Sequence, residues 1–307
     1  MRKVSLVIPT LNAEGYMPAL IEIINKQTIK LHEVIIVDSE SDDNTVELAE
    51  KAGWKLLHVK RADYDHGGTR NYAFDHTTGD YVLFLSQDAL PTDENYVKEL
   101  IQGFQDETVA MISARQVARK DATEIEKLVR NFNYPTKSYV RTKDDISTMG
   151  IKAYFFSDVC SAYRRTSFES LGKFETPLPT NEDMLMAARA LKAGYKVGYC
   201  GTAAVYHSHD YTLEQQYKRN FDISAFMTMY ADEIESGSSV GEGIRMVLYI
   251  EKELFKKLKF ASMIWCVLDS GAKFLGNRRG KGYKSMTQEQ ILKNTSNKAY
   301  WKKYYKA

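Results

Sequence analysis

Four carboxylates and a pair of histidines in this sequence stand where side chains could do chemistry. Asp88 closes the stretch YVLFLSQDALP (81–91), whose apolar run stops at Ser86-Gln87-Asp88. One carboxylate holds a hard cation weakly, yet such a cation can keep phosphate oxygens and waters as its remaining ligands. A magnesium or manganese ion at Asp88 would neutralise a diphosphate; the plainer role is a strand-end turn before Pro91. Asp38 closes a second apolar run, HEVIIVDSES (32–41). It could hydrogen-bond the sugar or base of a nucleotide, or cap the helix that follows.

The stretch HGGTRN (66–71) sets two glycines before an Arg-Asn pair. Glycines let a backbone approach a ligand closely, a helix N-terminus attracts phosphate, and Arg70 could add a forked contact. The alternative is an ordinary glycine turn with Arg70 in water. Asn181-Glu182-Asp183 opens the helical pattern MLMAARALKAG. Acids there cap the helix and suit its dipole, or one of them is a general base; spacing does not decide. His207 and His209 flank Ser208. On a strand, residues two apart share a face, so both imidazoles could complete a metal site or meet a phosphate.

The elements that must position these residues alternate. Strands are expected over 3–10, 32–41, 54–60 and 80–89, with helices over 17–28 and 43–53 and a glycine turn plus short helix over 66–79. Such alternation indicates βαβ units and a mostly parallel sheet flanked by helices, and VSLVIP, VIIVD and YVLFL have the continuous apolar character of strands covered on both faces. Ligands of open α/β sheets lie beyond the carboxyl ends of the strands, where Asp38 and Asp88 fall. Further along, 109–117 looks like a strand, 124–135 like a helix, 152–172 like a strand, turn and helix, and 181–209 like a helix followed by one or two strands. Three helices are expected over 212–233, 241–259 and 260–276, with Ser236 to Ser239 breaking the first from the second.

Composition narrows the class. The 307 residues are 44% hydrophobic and 27% charged, as in a globular protein of one large α/β unit with an appendage. Cys160, Cys200 and Cys266 are scattered and form no metal or redox motif, which suggests a reducing compartment. The apolar run after Met1-Arg2-Lys3 is too short for a secretory signal, and no run reaches the length of a spanning helix. The net charge of +2 is uneven: from Lys256 onward 13 Lys/Arg face two acids, a net of +11, leaving −9 on the first 255 residues. A basic tail on an acidic body suggests an anionic surface as partner.

Taken in order, VSLVIPTLNAEGY, EVIIVDSESDDNT, GGTRNYAFDHTTGDYVLFLSQDA and NEDMLMAARALKAGYKV resemble the family-2 inverting glycosyltransferases of the GT-A fold, over about residues 3–210. The resemblance implies a Rossmann-like nucleotide-sugar-binding and catalytic unit over 1–211 and a helical, basic extension over 212–307. It implies that Thr10, Asn12 and Glu14 wrap the nucleotide, that Asp38 holds base or ribose with Ser39 and Ser41 nearby, and that Arg70 and Asn71, with His66 and Gly67, line the diphosphate. It implies a divalent cation, magnesium or manganese, at a D-x-D motif. Here that motif is Ser86-Gln87-Asp88, which lacks its first acid and keeps Gln87 beside the donor. Asp183 matches the catalytic base, with Glu182 as its neighbour, and His207, with His209 beside it, matches a position that supplies a metal ligand in some relatives. The His-Gly-Gly-Thr-Arg-Asn motif resembles bacterial rhamnosyltransferases of O-antigen, capsule and cell-wall synthesis, which implies dTDP-L-rhamnose as donor and a saccharide, lipid-linked, as acceptor.

The tail FKKLKFASMIWCVLDSGAKFLGNRRGKGYK (255–284) mixes large apolar residues with lysines and arginines. It suits either core packing, an oligomer contact, or docking on the inner leaflet of the cell membrane by a cytoplasmic, peripheral protein. AYWKKYYKA at the end has the character of an interfacial anchor. Other classes fit less well. Transfer of another hexose or N-acetylhexosamine from UDP is the main alternative. A nucleic-acid binder would use the tail, but no recognition motif is present. No G-x-G-x-x-G follows the first strand, which disfavours a dehydrogenase.

Overall fold

The computed structural model describes residues 2–234 and 239–304. Val4–Thr10 (β1) is buried along its whole length, as a strand covered on both faces must be. Met17–Asn25 (α1) carries a proline in its first turn, where the missing N–H leaves no gap. Glu33–Asp38 (β2), Thr45–Lys51 (α2), Lys55–His58 (β3), His66–Asp75 (α3) and Tyr81–Leu85 (β4) continue the alternation. β3, β2, β1 and β4 pair in parallel in that order, and the register sets Thr10 opposite Asp38. The carboxyl ends of β1 and β2 therefore finish level.

The second half departs from the parallel pattern. It comprises Leu90–Pro91 (β5), Tyr96–Gln102 (α4), Val109–Val117 (β6), Glu124–Asn133 (α5), Tyr139–Arg141 (β7), Asp145–Met149 (α6), Cys160–Arg164 (β8), Arg165–Ser170 (α7), Glu182–Lys192 (α8) and Lys196–Tyr206 (β9). β8 enters between β4 and β6 antiparallel to both, β9 runs parallel to β6, and β5 and β7 run antiparallel to β9. The nine-stranded sheet is thus mixed; the expected parallel character holds from β1 to β4 and then gives way. An antiparallel strand starts at the edge where its neighbours end. β8 for this reason delivers Ser157 and Asp158 beside the exit of β4, where the Ser86 N–H donates to the Val159 carbonyl at 2.9 Å. Within 152–172, expected as a strand, turn and helix, the strand and helix are β8 and α7, and the residues ahead of them form a 3₁₀ turn over Gly150–Tyr154 and a loop; Ala153, Tyr154 and Phe156 are buried all the same. A short apolar run fixes burial but not conformation.

Side-chain alternation along the strands splits the core in two. Leu6, Ile8, Leu83 and Leu85 pack on one face with Leu20, Val97 and Leu100. Val7, Val37, Val82 and Phe84 pack on the other with Phe74, Phe168 and Leu185. Phe226 of Leu213–Met229 (α9) joins that second cluster, so the C-terminal helices share a core with the sheet.

After α9 come Ser239–Lys256 (α10), Phe260–Lys281 (α11), Gln288–Asn294 (α12) and Lys298–Tyr304 (α13). The expected break before α10 lies, over 236–238, outside the described residues. The last two helices lie beyond the three expected, and they correct the reading of the C-terminal aromatics. Trp301 is fully buried against Phe221, Tyr283 and Tyr300, and its Nε1–H donates to Asp222 Oδ1 at 2.9 Å. Asp222 also accepts from Thr295 Oγ1, the Ser296 N–H and Ser296 Oγ. Trp301 and Tyr300 are core residues rather than an interfacial anchor, because Asp222 gives the indole N–H the partner that it needs indoors.

α11 meets α9 through glycines. A Cβ on Gly276 would stand 2.2 Å from the Tyr217 carbonyl oxygen, and one on Gly280 at 2.2 Å from that of Phe221. Alanine ordinarily favours a helix over glycine by about 1 kcal/mol. Here overpacking reverses the sign, and Gly276→Ala is expected to destabilise the fold by about 1–3 kcal/mol, read as a lowered denaturation midpoint.

Candidate active site

Asp88 and the two histidines converge. The Asp88 Oδ2 atom lies 3.5 Å from His207 Nε2 and 3.3 Å from His209 Nε2, and the three ligand atoms all fall within 4.8 Å of one another. β4 ends short of Asp88, and β9 ends at Tyr206 just before His207, so two strand exits bring them together. The tautomer of His207 follows from its neighbours. Gln116 Oε1 accepts from Arg130, while its Nε2 donates to Ser157 Oγ at 2.9 Å. The His207 Nδ1–H must therefore donate to Gln116 Oε1, 2.9 Å away, which turns its Nε2 toward Asp88. Burial, together with His207, holds the His209 imidazole down at about 4, so this ring is neutral at pH 7. Burial alone would push the Asp88 carboxyl up, but the two histidines outweigh it and hold it below the usual range. One carboxylate and two imidazole nitrogens facing one another form a donor set that suits a divalent cation.

A second cluster lies on the same edge. Arg70 is 5% exposed, donates to the His66 carbonyl at 3.0 Å, and stands 3.5 Å from Glu182 Oε1. Burial opposes its charge, but Asp158, Tyr64 and Glu182 more than offset that and raise its pKa. Asp183, half-buried at the start of α8, accepts from the Asp158 N–H at 3.0 Å and from the Met184 N–H at 2.7 Å. Burial and then the charges of Glu182 and Asp158 push the Asp183 carboxyl well above its ordinary value. Glu182 is buried against Arg70, while Asp183 keeps some access to solvent. The two clusters join through Ser157, which accepts from Gln116 and precedes Asp158 in the chain.

The nucleotide-side residues occupy the tips of β1 and β2. Asp38 is 1% exposed; Thr10 Oγ1 and Ser41 Oγ donate to its Oδ1, and the Ser41 N–H to its Oδ2 at 2.8 Å. Asn12 adopts a left-handed φ of 51° and accepts from the Asp42 N–H, while its own N–H donates to Ser41 Oγ. Glu14 accepts from Asn44 at the start of α2. The Ser39 hydroxyl is buried and has no partner among the described residues. Asp38 thus shapes the tip from beneath, and Ser39 holds the unused donor.

Several residues expected at the donor brace backbone of this same protein. The Gln87 amide pairs with both the N–H and the carbonyl of Leu11, at 2.8 and 3.1 Å. Asn71 grips Phe174 in the same way, at 2.9 and 3.0 Å. Gly67 sits inside the first turn of α3 rather than in a turn before it, and a Cβ there would meet the Glu175 carbonyl oxygen at 2.9 Å. Its bareness serves helix packing. His66 is exposed, with its Nδ1 3.1 Å from the Tyr64 hydroxyl. It borders a cavity of about 410 Å³ shared with Arg61, Arg219 and Lys298. A second cavity of about 370 Å³ lies between Tyr16, Asp88 and Arg119.

Asp158 was not singled out by sequence. It is 3% exposed, its Oδ1 accepts from Ser161 Oγ at 2.8 Å and Tyr163 OH at 2.6 Å, and its Oδ2 has no partner among the described residues. The available signal was an acid immediately before a buried strand, the pattern that exposed Asp38 and Asp88, but seen at the strand's start. Burial raises its carboxyl to about 6, with Arg70 working in the opposite direction. A carboxyl raised on folding stabilises below its ordinary range, and that contribution is lost as pH rises through the folded value. Asp158→Asn should therefore gain about 1–3 kcal/mol relative to the wild type between about pH 4.5 and pH 7.5, measured as the difference in urea midpoints. A pH-independent difference would contradict the assignment.

Residues 5–172 match Glycosyl transferase family 2. The chain is 38% identical over 305 residues to the O-antigen chain rhamnosyltransferase RfbN of Salmonella typhimurium, covering 97% of this chain and 96% of that protein. It is 36% identical over 307 residues to WbaN of Salmonella anatum, also an O-antigen chain rhamnosyltransferase, covering 98% and 96%. Among solved structures, the mannosyltransferase PcManGT from Pyrobaculum calidifontis, in complex with GDP-Man and Mn2+, superposes with a TM-score of 0.61 at 17% identity, over 91% of this chain and 88% of that one. That likeness carries the GT-A-type fold, and the match over more than half of the chain carries the family: this protein belongs to glycosyl transferase family 2.

Proposed function

We propose that this protein transfers L-rhamnose from dTDP-L-rhamnose to a saccharide acceptor, itself lipid-linked, in the synthesis of a bacterial surface polysaccharide. The observation that carries the sugar is the end-to-end similarity to two O-antigen chain rhamnosyltransferases. The observation that carries the chemistry is the shared strand-exit edge of Asp88, His207 and His209 with Asp183.

The nucleotide lies over the tips of β1 and β2, with Ser39 offering its unused hydroxyl and Asp38 holding the tip rigid. Asp88, His207 and His209 would hold a divalent cation. The two imidazoles weight the donor set toward Mn2+ over Mg2+, which takes oxygen ligands. When bound, this cation supplies positive charge against the departing diphosphate. Asp183 takes the proton from the acceptor hydroxyl as that oxygen attacks the anomeric carbon from the face opposite the leaving group. Glu182, locked to Arg70, orients the start of α8 and, with Asp158, raises the proton affinity of Asp183. A single displacement of this kind inverts the anomeric centre. A lipid-linked acceptor sets the reaction at the inner face of the cell membrane, with the protein peripheral to it; no described helix is long and apolar enough to cross.

Asp183→Asn is expected to lower kcat by about 10²–10⁴-fold, with donor binding kept. In the wild type the acid limb of kcat/KM should lie above the ordinary carboxylate range, because the base must lose a proton that its neighbours favour. Wild-type turnover by Asp183→Asn would remove it from the role. Donor specificity is read directly from hydrolysis of a panel of nucleotide sugars. Turnover of dTDP-L-rhamnose is expected, and preference for a UDP-hexose or UDP-N-acetylhexosamine would overturn the assignment of the sugar. In thermal-shift measurements with Mn2+ and dTDP, Asp88→Ala should lose the Mn2+-dependent part of the stabilisation. An unchanged Mn2+ response would remove Asp88 as a ligand.

A further inference from the structure

α11 is packed inside out. Its large apolar residues Phe260, Ile264, Val267, Leu268, Phe274 and Leu275 are 49–65% exposed. At 100° per residue they fall within an arc about 120° wide. The opposite arc, which packs on the protein, holds Cys266, Asp269, Gly276 and Gly280. Close approach of α11 to α9 requires those glycines, so the bulky residues cannot turn inward. α10 extends the same character with Ile244 at 55% and Leu248 at 63% exposure. A surface of this extent is larger than scattered surface hydrophobics explain, and it needs a covering phase.

Charge identifies the cover. Asp269 is the sole acid between residues 260 and 281, and it is buried and paired with Lys273 at 2.7 Å. Lys259, Arg278, Arg279 and Lys281 border the two ends of the apolar stripe, are exposed, and make no ion pair among the described residues. A second copy of the chain seated on this face would set these cations against their own kind. An anionic lipid surface pairs with them and takes up the apolar stripe at the level of the acyl boundary. The 22 residues of α11, about 33 Å at 1.5 Å each, suit a helix lying in the interface plane.

The geometry points to the outward face of α10 and α11 as the docking surface for an anionic bilayer. This rests on the proposed function only for its setting, the inner membrane face. The test uses the full chain and co-sedimentation with vesicles of phosphatidylcholine containing phosphatidylglycerol. The wild type should bind these vesicles, bind pure phosphatidylcholine more weakly, and lose affinity as salt rises. The triple variant Ile264→Glu, Val267→Glu, Phe274→Glu, all at exposed positions, should bind at least about tenfold more weakly while keeping its unfolding midpoint. Arg278→Glu with Arg279→Glu should remove the preference for the anionic lipid. Absence of vesicle binding by the wild type, or equal binding by the triple variant, would overturn the proposal. So would a wild-type dimer that the triple variant converts to monomer without change in vesicle binding. Donor hydrolysis in lipid-free solution reads the catalytic proposal separately, because none of these residues belongs to the Asp88–His207–His209 or Arg70–Glu182–Asp183 cluster.

Discussion

Like-charge crowding at one edge of the sheet governs this molecule. Asp88, Asp158, Glu182 and Asp183 gather where β4 ends and β8 begins, with Arg70 as the buried cation among the last three. A buried carboxylate cluster of this kind is costly unless each charge is met by a partner, a proton or a metal. The protein answers with all three devices. Arg70 meets Glu182, Asp158 and Asp183 favour their protons, and Asp88 faces two neutral-capable imidazoles that suit a cation. An edge held this way favours positive charge beside Asp88, His207 and His209.

Much of this edge was legible in the sequence because an acid directly after a buried parallel strand has few other places to go. Asp38 and Asp88 fall there, and the βαβ alternation alone puts both at the ligand-binding side. Asp158, Gln116 and Arg130 were not legible. Their positions depend on β8 running antiparallel into a sheet that had been parallel, and nothing in the local pattern of 152–164 announces that reversal. Gln87, Asn71 and Gly67 show the opposite limit. Their residue types suit ligand binding, yet each meets a backbone group of this same protein, and side-chain chemistry alone does not tell a peptide partner from a substrate.

The C-terminal helices divide along the same line. Burial of Trp301 required a buried hydrogen-bond acceptor, Asp222, that lies 79 residues earlier in the chain. In α11 the wider apolar arc argues for one inward face and the narrow Cys-Asp-Gly-Gly arc for the other. Backbone proximity to α9 decided it, since only glycine admits a carbonyl oxygen at such range.

These helices are also mechanically continuous with the chemistry. Asn297 Nδ2 donates to the Pro179 carbonyl at 3.0 Å, two residues ahead of Asn181, whose left-handed φ of 64° starts α8 and aims Glu182 and Asp183. At the other end of α8, Arg189 forks onto Glu233 at 2.7 and 3.0 Å. Asn297 in turn donates its own N–H to Asp222, the residue that secures Trp301. The α9–α13 layer therefore clamps α8 from both ends, and the helix that carries the proposed base is held by the same layer that turns an apolar, cationic face outward. A surface that ties the protein to a bilayer through this layer would fix the orientation of Asp183 relative to that bilayer.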